Sequence, residues 1–106
     1  MDLSPTYEQR LKMPIGYLTL HLILPGCTSL KEKRSRLKPL IARLHREFNI
    51  SVAEMDRLDA WQEAVLACSM VSNDGRHTQR SLQKVVQWLE TSWPDVSLID
   101  DHLELL

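Results

Sequence analysis

Alternating hydrophobic and polar positions near the start of the chain predict a β-strand. From Ile15 onward, Leu18, Leu20, Leu22 and Leu24 alternate with Tyr17, Thr19, His21 and Ile23. Successive side chains of a strand point to opposite faces, so a period of two places all four leucines on one face. Pro25-Gly26 then ends the strand.

A helix-start signature follows this strand. In Ser29-Leu30-Lys31-Glu32, the Ser29 hydroxyl can accept from the Glu32 amide, and the Glu32 carboxylate can reach back to the Ser29 amide. One apolar stripe continues at helical spacing through Leu30, Leu37, Leu40, Ile41, Leu44 and Phe48. Pro39 points away from this stripe, so we expect the proline to bend the helix around its core without breaking it. Asn49 ends the helix.

Four more segments complete the predicted domain. Ile50 to Met55 is a short predicted strand. The segment from Trp61 to Val71 is nearly all apolar from Ala64 onward, which predicts a strand at the centre of a sheet. A second amphipathic helix, stopped by Pro94-Asp95, turns Leu82, Val85, Val86, Leu89 and Trp93 inward. Val96 to Leu103 gives the last strand.

The predicted order βαββαβ indicates one α+β domain. Right-handed crossovers then give a four-stranded antiparallel sheet with two helices on one face, the ferredoxin-like architecture. Strands one and three are the most apolar and are expected at the centre. Strands two and four are expected at the edges, where charges discourage edge pairing: Glu54, Asp56, Asp100 and Asp101. We assign the domain to residues 15–106 and an N-terminal leader to residues 1–14.

Composition narrows the class of protein. Apolar residues make up 43% and charged residues 25% of the chain, as in an ordinary globular domain. No apolar run approaches the length of a membrane span, and the polar N-terminus lacks the features of a signal peptide. Two cysteines are too few for a disulfide framework. We therefore expect a cytoplasmic protein with no membrane partner.

The net charge of −1 hides a strongly basic segment. Residues 29–48 hold seven basic and two acidic side chains, a local charge of +5. On a helix, Lys31, Arg34, Lys38 and His45 share one flank, a line about 20 Å long that could follow a phosphate backbone and bind it in a salt-dependent way. The predicted nucleic-acid-binding residues are Lys31, Lys33, Arg34, Lys38 and Arg43. The alternative is a solvated helix face that carries its charges for solubility.

The sequence contains little that indicates catalysis or metal binding. None of the four histidines has a metal-ligand spacing with either cysteine, and no nucleophile elbow or poised carboxylate pair is present. Cys68, in the apolar third strand, is expected to be an inert core thiol, and Cys27, near a helix N-terminus, is a weak nucleophile candidate. We therefore expect no enzyme activity, no metal and no cofactor.

The face of the sheet away from the helices is a second candidate surface. It offers only Tyr17 and His21 in the central strands for stacking on bases, without the aromatic-rich signature of RNA-binding sheets. Such an open apolar face otherwise needs cover. Self-association into a homodimer, or packing by the leader, is the expected alternative.

Several ordered motifs resemble the YlxP-like family of bacterial proteins. They are Pro25-Gly26, Ser29-Leu30-Lys31-Glu32-Lys33-Arg34, Leu37-Lys38 with Leu44, Phe48-Asn49-Ile50-Ser51-Val52-Ala53-Glu54, Asp59 with Trp61-Gln62, and Val71-Ser72-Asn73. The resemblance covers about residues 15–92. It implies a ferredoxin-like fold and an unknown function, and the family's genes often neighbour those of translation-initiation and ribosome-maturation factors, which suggests a role with RNA.

The basic helix and the family resemblance together predict a non-catalytic module. It would bind RNA or a ribosomal particle by electrostatic docking on phosphates. A homodimerising structural domain, or one regulated by a small ligand, is the alternative. Fold alone does not choose between these functions.

Overall fold

The computed structural model describes Thr6 and residues 15–106, which form a single α+β unit. Its elements are β1 (Ile15–Ile23), α1 (Leu30–Glu47), β2 (Ser51–Asp56), β3 (Glu63–Val71), α2 (Gly75–Ser92) and β4 (Ser97–Leu105). Neighbouring strands are antiparallel in the order β2-β3-β1-β4. This confirms the ferredoxin-like βαββαβ prediction, with strands one and three central. Apart from Thr6, the assigned leader lies outside the described residues.

Strand β1 forms the centre of the fold. Leu18, Leu20, Leu22 and Leu24 are all fully buried, as their alternation predicts. β1 pairs with β3 over its whole length, from Ile15 opposite Val71 to Ile23 opposite Glu63, and with β4 on its other side. Both helices contribute to the buried cluster on the leucine face. Neither α1 nor α2 lies on the opposite face of the sheet.

The start of α1 confirms one half of the predicted capping box and corrects the other. The Glu32 amide donates to Ser29 Oγ at 3.0 Å, as expected. The Glu32 carboxylate accepts from the amide of Thr28 at 2.6 Å and from its hydroxyl at 3.0 Å, one residue earlier than predicted. These hydrogen bonds from Thr28 lower the pKa of the Glu32 carboxyl.

Helix α1 runs without interruption through Pro39, so the prediction that the proline does not break the helix is confirmed. Pro39 is exposed on the side away from the core, where the missing hydrogen bond costs least. Leu37, Leu40 and Leu44 form the buried stripe. The stripe also contains Lys33, which the sequence analysis placed among the surface cations.

Two sets of contacts hold α1 in place on the domain. The rings of Phe48 and Trp88 meet edge to face with centroids 6.0 Å apart, and the Arg43 guanidinium lies 5.8 Å from the centroid of the Trp88 ring. At the other end, the Arg36 guanidinium donates to Asp95 Oδ2 at 2.9 Å and to the carbonyl of Pro25 at 2.8 Å. Arg36 therefore serves the fold by tying α1 to the segment that precedes β4.

Gly16 in β1 lies very close to side chains of α2. A Cβ at this position would overlap Thr78 Cγ2 and would lie 2.6 Å from Leu82 Cδ1. Both neighbours are fully buried, and the Thr78 hydroxyl is held by a 2.6 Å hydrogen bond with Ser72. Only glycine fits here without moving the helix.

The variant Gly16→Ala should lower the free energy of unfolding by about 1–3 kcal/mol, since the added methyl group overpacks this contact. Urea denaturation followed by circular dichroism measures the change. Thr78→Ser removes the overlapping Cγ2, so the double variant Gly16→Ala/Thr78→Ser should lose less stability than the sum of the single changes. An unchanged unfolding midpoint for Gly16→Ala would contradict this close approach.

Candidate nucleic-acid interface

Three basic side chains of α1 form an exposed row on the side of the helix that faces β2. Lys31, Arg34 and Lys38 are all exposed, and within the described part of the chain none of their side chains has a salt bridge or hydrogen bond. Their spacing of three and four residues gives a row about 10 Å long. We call these three residues the α1 ridge.

A shallow depression runs beside the α1 ridge. Arg34 and Lys38 line it together with Leu37, Ile41 and Glu54, and its volume is about 260 Å³. Because Glu54 belongs to β2, Arg34 and Lys38 lie on the side of α1 nearer to β2. A polyanion that met these cations would therefore lie along the outer side of α1.

Lys33 lies in the interior and not on the surface with the α1 ridge. Its side chain is 2% exposed, and Nζ lies 2.6 Å from Glu54 Oε2. The ammonium also donates to the carbonyl oxygens of Arg57 at 2.7 Å and Ala60 at 2.9 Å. The buried ammonium therefore has one ion-pair partner and two hydrogen-bond acceptors. Lys33 is therefore not available to a polyanion.

The chain contained the signal that Lys33 is internal. Leu30, Lys33, Leu37, Leu40 and Leu44 are spaced three and four residues apart, so Lys33 occupies a core position of the stripe. A charged residue there must find partners, because a buried charge without them is costly. Counting charge along the segment concealed this difference between Lys33 and its neighbours.

Arg43, the fifth predicted binding residue, is already engaged. Its Nη2 lies 3.1 Å from Glu47 Oε1 one helical turn away, and its guanidinium packs over Trp88. Its position faces α2 and not the β2 side of α1. Of the five predicted binding residues, Lys31, Arg34 and Lys38 thus remain together on one surface, and Lys33 and Arg43 are separated from them.

Sequence analysis missed a second row of cations, on α2. Arg76, Arg80 and Lys84 recur every four residues and are all exposed. In the described residues they form no ion pairs. The sequence contained a signal for this row. A spacing of four residues places the three cations on the side of α2 opposite the buried Leu82 and Val85. We call these three residues the α2 ridge.

Many exposed carboxylates lie away from the two ridges, although Asp74, which caps α2, and Glu90 of α2 are exposed as well. Asp100, Asp101 and Glu104 are exposed on β4, and Asp56 and Asp59 are exposed at the turn between β2 and β3. By contrast, Glu47, Glu54 and Asp95 near the helices are paired with Arg43, Lys33 and Arg36. The near-zero net charge therefore consists of a cationic helix layer and an acidic sheet edge.

The cysteines sit in the core, where no substrate reaches them. Cys27 and Cys68 are both buried, and burial raises the pKa of the Cys68 thiol to about 12. The prediction of a core thiol at Cys68 is confirmed. No group of three or more potential ligand side chains among residues 15–106 is arranged to hold a metal ion. None of the described helices is both long and apolar enough to cross a membrane.

Fold and surface together define a small ferredoxin-like domain with basic rows on its helix layer. A family model described as "Protein of unknown function (DUF503)" matches residues 15–102, and the chain belongs to this family. It is 33% identical over 82 residues to the "Uncharacterized protein YlxP" of Bacillus subtilis (strain 168), across 77% of this chain and 88% of that protein. These matches confirm the resemblance that the motifs predicted.

The variant Lys33→Met should lower the free energy of unfolding by about 3 kcal/mol, because it leaves Glu54 and two carbonyl groups without their donor. Glu54→Met added to it should restore part of the loss, since the unpaired carboxylate is then gone. Chemical denaturation of the two single variants and the double variant measures this coupling.

Lys38→Met is the matched control on the same helix. Lys38 is exposed and unpaired among the described residues, so its replacement should change stability by about 0.5 kcal/mol or less. Equal effects of the two lysine substitutions would show that the buried ammonium is not structurally important.

Proposed function

We propose that this protein is a non-catalytic cytoplasmic binding module for RNA or a ribosomal particle, and that the α1 ridge contacts its phosphates. The observation that carries the proposal is the free state of Lys31, Arg34 and Lys38, which lack carboxylate partners in the described chain. The gene neighbourhood implied by the family resemblance supports RNA over other polyanions.

Electrostatics provides the mechanism of binding. Cations that neutralise phosphates release condensed counterions, so affinity falls steeply as salt rises. Arg34 can bind a phosphate with two parallel hydrogen bonds, whereas the lysines act as point charges. The acidic β4 edge repels the same backbone and so orients the protein with its helices toward the nucleic acid. Such contacts position the protein but carry little sequence information.

The triple variant Lys31→Gln/Arg34→Gln/Lys38→Gln should bind RNA at least about tenfold more weakly at 50 mM salt, and its plot of log affinity against log salt should be shallower by about two to three. The probes are a stem-loop RNA and purified bacterial ribosomal subunits, and fluorescence anisotropy at several salt concentrations measures the affinity.

The matched control removes three charges of the opposite sign from β4. Asp100→Asn/Asp101→Asn/Glu104→Gln should leave binding unchanged or slightly tighter, because it reduces repulsion. Circular dichroism confirms that both variants fold. Absence of binding by the wild type at low salt, or equal affinity of wild type and the α1 variant, would refute the proposal.

A second candidate function, homodimerisation through the open sheet face, is favoured by exposed apolar side chains. Ile15 is 45%, Met55 59% and Val71 69% exposed. Beside Tyr17 and Met55, a shallow depression of about 250 Å³ has a floor of small alanine and serine side chains. A face of this kind can pack flat against a second copy.

Sedimentation equilibrium tests whether the protein forms this homodimer. If the open face is a dimer interface, the protein sediments as a dimer, and Met55→Lys/Val71→Lys shifts it to monomer by placing like charges across the interface. Gln83→Lys/Gln87→Lys, on the exposed side of α2, is the control and should leave the dimer intact. A monomeric wild type at millimolar concentration would exclude the dimer.

A further inference from the structure

The α2 ridge adds a second set of free cations to the helix layer, and we propose that the two ridges together hold double-stranded RNA. The inference rests on the proposed function and extends it: it names the ligand as a duplex and assigns Arg76, Arg80 and Lys84 as contacts to its backbone.

The position of the ridges on the helix pair favours a wide ligand. Arg34 and Lys38 border the depression with Glu54, so the α1 ridge lies toward β2. Arg76 borders a depression with Asp74 and with Leu105 of β4, so the N-terminal end of the α2 ridge lies toward β4. Packed helix axes are themselves roughly 8–10 Å apart. The two ridges therefore lie on separate helices, and a ligand that contacts both must span the helix pair.

Each ridge is long enough to contact more than one phosphate. The α1 ridge spans about 10 Å and the α2 ridge about 12 Å along their helix axes. The two strands of a duplex offer phosphates in two separate rows on either side of a groove, and double-stranded RNA is recognised largely through such backbone contacts and helix shape. Two separated cation rows match two separated phosphate rows.

The location of the aromatic side chains argues against a single strand. Proteins that bind single-stranded RNA stack its bases on exposed aromatic rings. In residues 15–106, Phe48, Trp88 and Trp93 pack against the core and the inner sides of the helices. Tyr17 lies on the opposite face of the sheet, and Trp61 lies in the turn before β3. The cationic surface thus offers charge without stacking platforms.

The test compares two RNA probes and two ridge variants. The probes are a 16-base-pair RNA duplex, roughly the length that a double-stranded RNA-binding domain spans, and a uridine oligomer of equal length. Wild-type protein should bind the duplex at least tenfold more tightly than the oligomer. Arg76→Gln/Arg80→Gln/Lys84→Gln should weaken duplex binding at least tenfold and flatten its salt dependence by about two to three.

Two controls separate charge from structure. Gln83→Ala/Gln87→Ala alters the same helix without changing charge and should bind the duplex as the wild type does. Arg76→Lys/Arg80→Lys keeps the charges and should retain most of the duplex affinity.

The outcomes distinguish this inference from the proposed function. If the α1 variant loses duplex binding and the α2 variant does not, the second contact is overturned and the proposed function stands. If the wild type prefers the uridine oligomer, the duplex assignment is overturned. If neither RNA binds at low salt, both proposals fail. Loss of duplex binding in both variants, with the charge-neutral control unaffected, supports the two-ridge contact.

Discussion

The constraint on which the whole structure depends is that β1 and the residue after it bury four leucines on one face of the sheet. Leu18, Leu20, Leu22 and Leu24 remove their side chains from water only if both helices cover that face. Each helix must then bury one apolar stripe and leave its remaining sides in solvent. The exposure of the α1 ridge and the α2 ridge is a direct result of this packing of both helices on one face of the sheet.

Much of this fold could be predicted because its signals are local and agree with one another. The alternation in β1, the Ser29 cap and the apolar stripes each specify one element, and handed crossovers allow one arrangement of them. The partner of the Glu32 carboxylate was harder to foresee, because Thr28 and Ser29 both offer an amide within its reach. Only the backbone geometry before α1 selects Thr28.

The candidate site was predicted less completely because charge and burial are different properties of a residue. A count of basic residues treats Lys33 and Lys38 alike, yet the heptad-like spacing of the stripe puts Lys33 inside. The same count overlooked α2, whose cations are fewer and spread over nine residues. Pairings such as Arg36 with Asp95 join residues far apart in the sequence, so no local pattern could show that Arg36 is engaged.

Lys33 and Lys38 of α1 should consequently tolerate different substitutions as related sequences diverge. At position 38 the requirement is a positive charge, so arginine is an acceptable exchange and a neutral residue alters only what the surface attracts. At position 33 the requirement is a compact ammonium that reaches one carboxylate and two carbonyl groups at once. The flat, forked guanidinium of arginine presents its donors in a different geometry, so lysine and its partner Glu54 should be retained or lost as a pair.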